Sequence, residues 1–150
     1  MKTGQEYRDS LRSRNIKVYV KGQLLDSKDV IDHPFIRGHV NSAAMTYDLA
    51  QDPQFEDLMT ATSHLTGKKI NRFTHIHQSV DDLLKKVKML RMISLNTGTC
   101  YQRCVGFDAV NAVYSVTYEM DQKLGTNYHQ RLRDYLAYWQ EEDLMVAGAM

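Results

Sequence analysis

A chain of 150 residues is long enough for one domain with a core of its own, and 43% hydrophobic against 25% charged residues is the balance of an ordered globular protein. With 19 Lys and Arg against 18 Asp and Glu, the chain lacks the basic excess that a nucleic-acid footprint uses. No apolar run approaches the roughly 18–20 residues of a membrane span, and the opening Met1 to Tyr7 has no signal-peptide apolar stretch, so the expectation is a soluble cytoplasmic domain with no nucleic-acid or membrane partner.

Taken in chain order, Thr3-Gly-Gln-Glu6 is a capping box, and it opens a short helix that places Tyr7 and Leu11 on one face and fades at Ser13-Arg-Asn15. Ile16 to Val20 alternates and is β-branched; with Lys21-Gly22 and Gln23-Leu-Leu25 it predicts a small hairpin, although lysine is a poor turn occupant. Val40, Ala43, Ala44, Tyr47 and Ala50 recur at helical spacing until Asp52-Pro53 stops them. Asp52 caps a short turn begun by Pro53 and anchored by Phe55, Leu58 and Met59. Residues 60–77 have no clean period, and the expectation there is a long ordered loop carrying His64, His75 and His77.

Ser79 opens the clearest helix, which runs to about Thr97 and stops at Gly98, with Lys85, Lys86 and Lys88 on its solvated face. Cys100 to Leu124 reads as a helix apolar nearly all round and therefore central to the core. Asn127, with Gln130 three places on, caps a last helix through Leu132, Tyr135, Leu136 and Trp139. The closing Leu144 to Met150 is apolar and small, so the chain is expected to continue into further structure and to expose apolar area around this tail. Two prolines in 150 residues leave long helices unbroken, and the fold class is mainly α: a helical bundle with a minor β-hairpin.

Cys100-Tyr-Gln-Arg-Cys104 is the sharpest chemical feature. Thiols at i and i+4 share one face of a helix, where two thiolates can grip one iron–sulfur centre. Such a centre takes four ligands, so two cysteines make half a site, and the other reading of the pair is two buried, inert thiols. His75 and His77 flank Ile76 without a neighbouring carboxylate or cysteine, and solvent-facing or hydrogen-bonding roles are expected for them and for His64. The chain contains no P-loop, no dinucleotide glycine motif, no nucleophile elbow and no His-Glu-x-x-His.

The stretches Met45–Pro53, Gly67–Phe73, His77–Leu83, Lys85–Met89, Cys100–Gly106 and Tyr118–His129 occur together and in order over nearly the whole chain. They resemble the 4-hydroxyphenylacetate 3-hydroxylase flavoprotein family, and within it the members that dehydrate a hydroxyacyl-CoA. The resemblance implies the amino-terminal helical domain of an acyl-CoA-dehydrogenase fold, followed by a middle β domain and a carboxy-terminal helical domain that this chain lacks. It implies FAD and a [4Fe-4S] cluster held by three cysteines and one histidine, with Cys100 and Cys104 as the first two cysteines. It also implies an acyl-CoA substrate, a homotetramer, and conversion of 4-hydroxybutyryl-CoA to crotonyl-CoA with vinylacetyl-CoA isomerisation. No histidine of this chain is carried over as catalytic, and the chain alone is expected to hold neither cofactor stably. The competing expectations are a flavin-dependent aromatic hydroxylase of the same family and a non-catalytic interaction fragment.

Overall fold

The computed structural model describes residues 1–26, 29–98, 101 and 103–146. Helix α1 (Gly4–Arg12) begins at the capping box: the Glu6 N–H donates to the Thr3 hydroxyl, and the Thr3 N–H donates to the Glu6 carboxylate at 2.7 Å. Tyr7 stacks on Tyr47 of α2 (Arg37–Asp48) with centroids 5.0 Å apart. With Ile31, Val40, Ala43 and Ala44 the two rings form one buried cluster. The predicted hairpin is present as β1 (Val18–Val20) and β2 (Gln23–Leu25), antiparallel with Val18 opposite Leu25. Lys21 and Gly22 both take positive φ, 49° and 80°, as a tight primed turn demands.

Asp52 caps the turn at Pro53, accepting from the Gln54 N–H at 2.8 Å, and the short helix α3 (Glu56–Met59) follows. The expected loop over residues 60–77 is instead a second antiparallel hairpin, β3 (Thr60–Thr62) with β4 (Lys69–Asn71), then one 3₁₀ turn over Arg72–Thr74. Three-residue strands are too short to show a period, and side-chain bonds close the connection: the Ser63 hydroxyl accepts from the N–H groups of Leu65 and Thr66. The Arg72 guanidinium donates to the carbonyls of Asp57, Leu58 and Thr60, satisfying the end of α3.

Helices α4 (Val80–Thr97), α5 (Arg103–Leu124) and α6 (Tyr128–Glu141) complete a mainly α fold with two small strand pairs. Among the described residues no helix is long and apolar enough to cross a membrane. Ser79 caps α4 as expected. Asn127 makes no side-chain cap; Asp121 of α5 takes that role, accepting from the N–H groups of Tyr128 and His129 at 2.9 and 2.8 Å. A carboxylate from the preceding helix thereby closes the α5–α6 corner, which local spacing around residue 127 does not reveal.

The expectation that α5 is central to the core is overturned. Its described helical residues bury only Arg103, Gly106 and Phe107, while Val113, Val116, Tyr118 and Leu124 are exposed. Along α4 only Met89 and Ile93 are buried, and Val80, Leu84, Val87 and Leu95 (87% exposed) face outward. Among the described residues uncovered apolar area lies on these two helices, with Tyr19, Leu24 and Phe35 also exposed around the first hairpin. Leu144, Met145 and Val146 are half-buried and pack inward against the clusters around Trp139 and Tyr47; residues 147–150 lie outside the described set.

The returning tail presses on the first turns of α5. A Cβ built on Gly106 would collide with the carbonyl of Val146. Gly106→Ala is therefore expected to destabilise by about 1–3 kcal/mol, the range for overpacking, instead of gaining the ~1 kcal/mol that alanine brings to an open helix. The shift in urea midpoint at unchanged m-value measures it.

Candidate functional site

Cys104 sits in the first turn of α5, half-buried against the cluster of Met59, Phe73, Met89, Ile93 and Phe107. Cys100 lies outside the described residues. Tyr101, three places before Cys104, is buried edge-on to Phe73 with centroids 5.9 Å apart. The first turn of a helix carries unpaired N–H groups and favours negative charge, which suits a thiolate.

Arg103, the residue before Cys104, is buried to 2% exposure. Its Nη1 donates to Thr46 Oγ1 of α2 at 3.1 Å, and its Nη2 donates to Asp143 Oδ1 at 3.2 Å. The guanidinium carbon lies 4.2 Å from the centroid of Tyr47 and 4.8 Å from that of Phe73. Asp143, just past α6 at φ 42°, also accepts from the Lys2 backbone N–H at 3.1 Å, and its carbonyl accepts from the Tyr47 hydroxyl at 3.2 Å. Burial pushes the Tyr47 phenol up to about 12, so it stays a donor. Nothing in the local spacing singled out Arg103 or Asp143, because each finds its partners far along the chain.

A polar cleft of about 710 Å³ opens beside β3, β4 and α4, lined among others by Thr60, Lys69, Arg72, His75, Asp82 and Lys85. Its charges are matched internally: Lys69 with Glu56 at 2.6 Å, Lys85 with Asp57 and Asp81, and Asp82 with Arg72 at 3.1 Å and His75 at 3.2 Å. Burial acts to raise the Asp82 carboxyl, but the Gln78 N–H, the His75 imidazole and the Ser79 hydroxyl hold it far below the usual carboxylate range. Lys85 and Lys86 are thus pairing groups, Lys86 meeting Asp108 and lying 5.7 Å over the Phe107 ring, while Lys88 is on the solvated face as expected.

The histidines divide. His64 is exposed and shares a hydrogen bond of 3.0 Å with the Tyr114 hydroxyl, in line with the sequence expectation. His75 is buried and bonded to Asp82. His77 departs from it: half-buried with its ring edge-on to Phe107 at 4.8 Å, it has neither ring nitrogen hydrogen-bonded among the described residues. Desolvation lowers the pKa of both His75 and His77, keeping both rings toward the neutral form. Among the described residues no group of three or more His, Cys, Asp or Glu is placed to hold a metal ion. The helix expected from Cys100 begins instead at Arg103, with Tyr101 outside it, so the shared helix face expected for the two thiols is not observed. The donor chemistry of the Cys-x-x-x-Cys sequence still fits an iron–sulfur centre, as part of a ligand set and not the whole of one.

Residues 3–150 match the family described as 4-hydroxyphenylacetate 3-hydroxylase N terminal, and the chain belongs to that family. Within it, the chain is 57% identical over 148 residues to the 4-hydroxybutyryl-CoA dehydratase/vinylacetyl-CoA-Delta-isomerase of Clostridium aminobutyricum, covering 99% of this chain and 30% of that protein. The structure of an oxygen-tolerant archaeal 4-hydroxybutyryl-CoA dehydratase from N. maritimus superposes with a TM-score of 0.90 at 47% identity, over 96% of this chain and 28% of that one. The oxygenase component of 4-hydroxyphenylacetate 3-monooxygenase, solved with FAD and 4-hydroxyphenylacetate, shares the fold at a TM-score of 0.75 and 24% identity, over 97% of this chain and 29% of its own. The chain spans about 30% of the length of these relatives.

Proposed function

We propose that this chain is the amino-terminal domain of a FAD- and [4Fe-4S]-dependent dehydratase that converts 4-hydroxybutyryl-CoA to crotonyl-CoA and isomerises vinylacetyl-CoA. The single observation that carries this reading is the 57% identity to the clostridial dehydratase over 99% of the chain. In this reading the domain is the helical first domain of an acyl-CoA-dehydrogenase fold, completed by a middle β domain and a second helical domain in a homo-oligomer. The exposed apolar faces of α4 and α5 support such covering, since areas of this kind mark surfaces that pack on something.

Cys100 and Cys104 would hold two of the four cluster positions, and the rest of the polypeptide would bring the others. When bound, the flavin supplies one-electron chemistry and the cluster supplies a Lewis-acid position for the departing hydroxyl. The chain's own part is to deliver the Cys104 thiolate from the first turn of α5, where backbone N–H groups favour its charge. Around it, Phe73, Tyr101 and Phe107 exclude water.

Cys104→Ser in the full-length, anaerobically purified protein tests the assignment. Serine keeps the size and polarity but not the soft donor, so iron and acid-labile sulfide should fall to background and dehydratase turnover with them. Full iron content and normal turnover in that variant would return Cys104 to the buried-thiol reading. Hydroxylation of 4-hydroxyphenylacetate by an iron-free wild type would assign the aromatic hydroxylase instead.

A further inference from the structure

We infer that Arg103 is the positioning residue for the Cys104 thiol: its buried guanidinium fixes the angle at which the first turn of α5 presents that thiol to the cluster. The inference rests on Cys104 being a cluster ligand as proposed above. The geometry is a four-sided clamp, with Thr46 and Asp143 accepting in the guanidinium plane at 3.1 and 3.2 Å and the Tyr47 and Phe73 rings 4.2 and 4.8 Å from its carbon. Those four partners belong to α2, the 3₁₀ turn after β4 and the turn after α6, so a single side chain locks the start of α5 to three separate segments.

Successive residues on a helix are ~100° apart around its axis. Pinning Arg103 inward therefore sets the direction of the Cα–Cβ bond of Cys104, which is left at the half-buried flank of the same turn. A buried ion pair is a poor source of stability, because desolvating its charges offsets most of their attraction. Its planar, two-sided hydrogen bonding instead selects one orientation, which lysine's point charge does not reproduce. Asp143 is held in turn by the Lys2 N–H while its own carbonyl accepts from the Tyr47 hydroxyl, so the far side of the clamp is itself immobilised. Its φ of 42° is rare for a residue with a side chain and persists where surrounding contacts over-determine it.

Two substitutions loosen the clamp. Arg103→Lys keeps the charge and removes the fork. Thr46→Ala removes one acceptor with a residue that α2 tolerates well. In a Cys100→Ser background of the 150-residue chain, with folding confirmed by far-UV circular dichroism, Cys104 should be alkylated by iodoacetamide on the order of tenfold faster in Arg103→Lys. Thr46→Ala should change the rate less, in the same direction. In the full-length protein with both cysteines, Arg103→Lys should retain iron about 10–100-fold more weakly, the range for residues that orient metal ligands, and shift the electron paramagnetic resonance lines of the cluster after one-electron reduction by dithionite.

Should Arg103→Lys not fold, Thr46→Ala carries the test alone. Folded variants whose Cys104 reacts at the wild-type rate would overturn the inference, as would wild-type iron retention in Arg103→Lys where Cys104→Ser has lost it. Full iron in Cys104→Ser refutes the ligand assignment itself. Arg103 would then position no ligand, and the alkylation rates would show only whether it holds the thiol.

Discussion

Truncating Trp139 to alanine is expected to cost about 3–5 kcal/mol, the range for a large aromatic removed from a core. The indole is 1% exposed and anchors the cluster of Ile76 and Leu136, with Leu65, Val110, Leu132 and Leu144 packed around it. Its Nε1–H donates to the Leu144 carbonyl at 2.7 Å, so truncation opens a cavity and also strips a carbonyl of its donor. Trp139→Phe separates the two effects by refilling part of the space without the donor, and should cost about 1–2 kcal/mol. As Trp139 is the only tryptophan, urea unfolding of the variants has to be followed by circular dichroism and not by indole fluorescence. A loss below about 1 kcal/mol for the alanine variant would mean that this cluster does not hold α6 in place.

Acidification should unfold the domain earlier than its carboxylates alone would dictate. Desolvation lowers the pKa of His75 and His77 in the folded chain, while the unfolded chain titrates near the ordinary value of about 6.5. A depressed folded value means that the unfolded state binds the proton first. The stabilisation is therefore complete above about pH 6.5 and is lost as pH falls toward the folded values. Each proton taken up only on unfolding contributes a slope of ~1.4 kcal/mol per pH unit. The contact of His75 with Asp82 favours the protonated ring and reduces the slope below the two-proton limit. His77→Phe, placing a phenyl ring beside Phe107 in place of the unbonded imidazole, should flatten the midpoint profile in the interval below about pH 6.5. A wild-type profile already flat over that interval would contradict both histidine assignments.

Local signals in the sequence carried far where the structure itself is local. The capping box at Thr3, the Lys21-Gly22 turn, the Asp52-Pro53 stop and the Ser79 cap all appear as written, because each is decided within about four residues. The β3–β4 hairpin did not announce itself, since strands of three residues show no alternation and its loop is closed by the Ser63 side chain. The cap on α6 comes from Asp121, seven residues before Tyr128, and a short-range pattern at Asn127 points to the wrong residue. The apolar pattern of α5 was legible but its burial was not, because periodicity reports which faces need covering and not what covers them. At the candidate site the Cys-x-x-x-Cys spacing stood out, whereas Arg103 and Asp143 pair over forty residues and leave no mark in either neighbourhood.

The Lys2 N–H on the carboxylate of the Arg103–Asp143 pair also orders events during synthesis. The α1–α2 and α5–α6 pairs join segments that are close along the chain and assemble as they emerge, whereas the Lys2–Asp143 hydrogen bond spans 141 residues. Contacts of that separation form late because their loop entropy is met only once both ends exist. Until residue 143 has left the ribosome, Arg103 has a charge and no counter-charge, and the turn bearing Cys104 lacks its anchor. If Cys104 is a cluster ligand as proposed, a cluster meets that turn in its fixed geometry only after residue 143 has emerged.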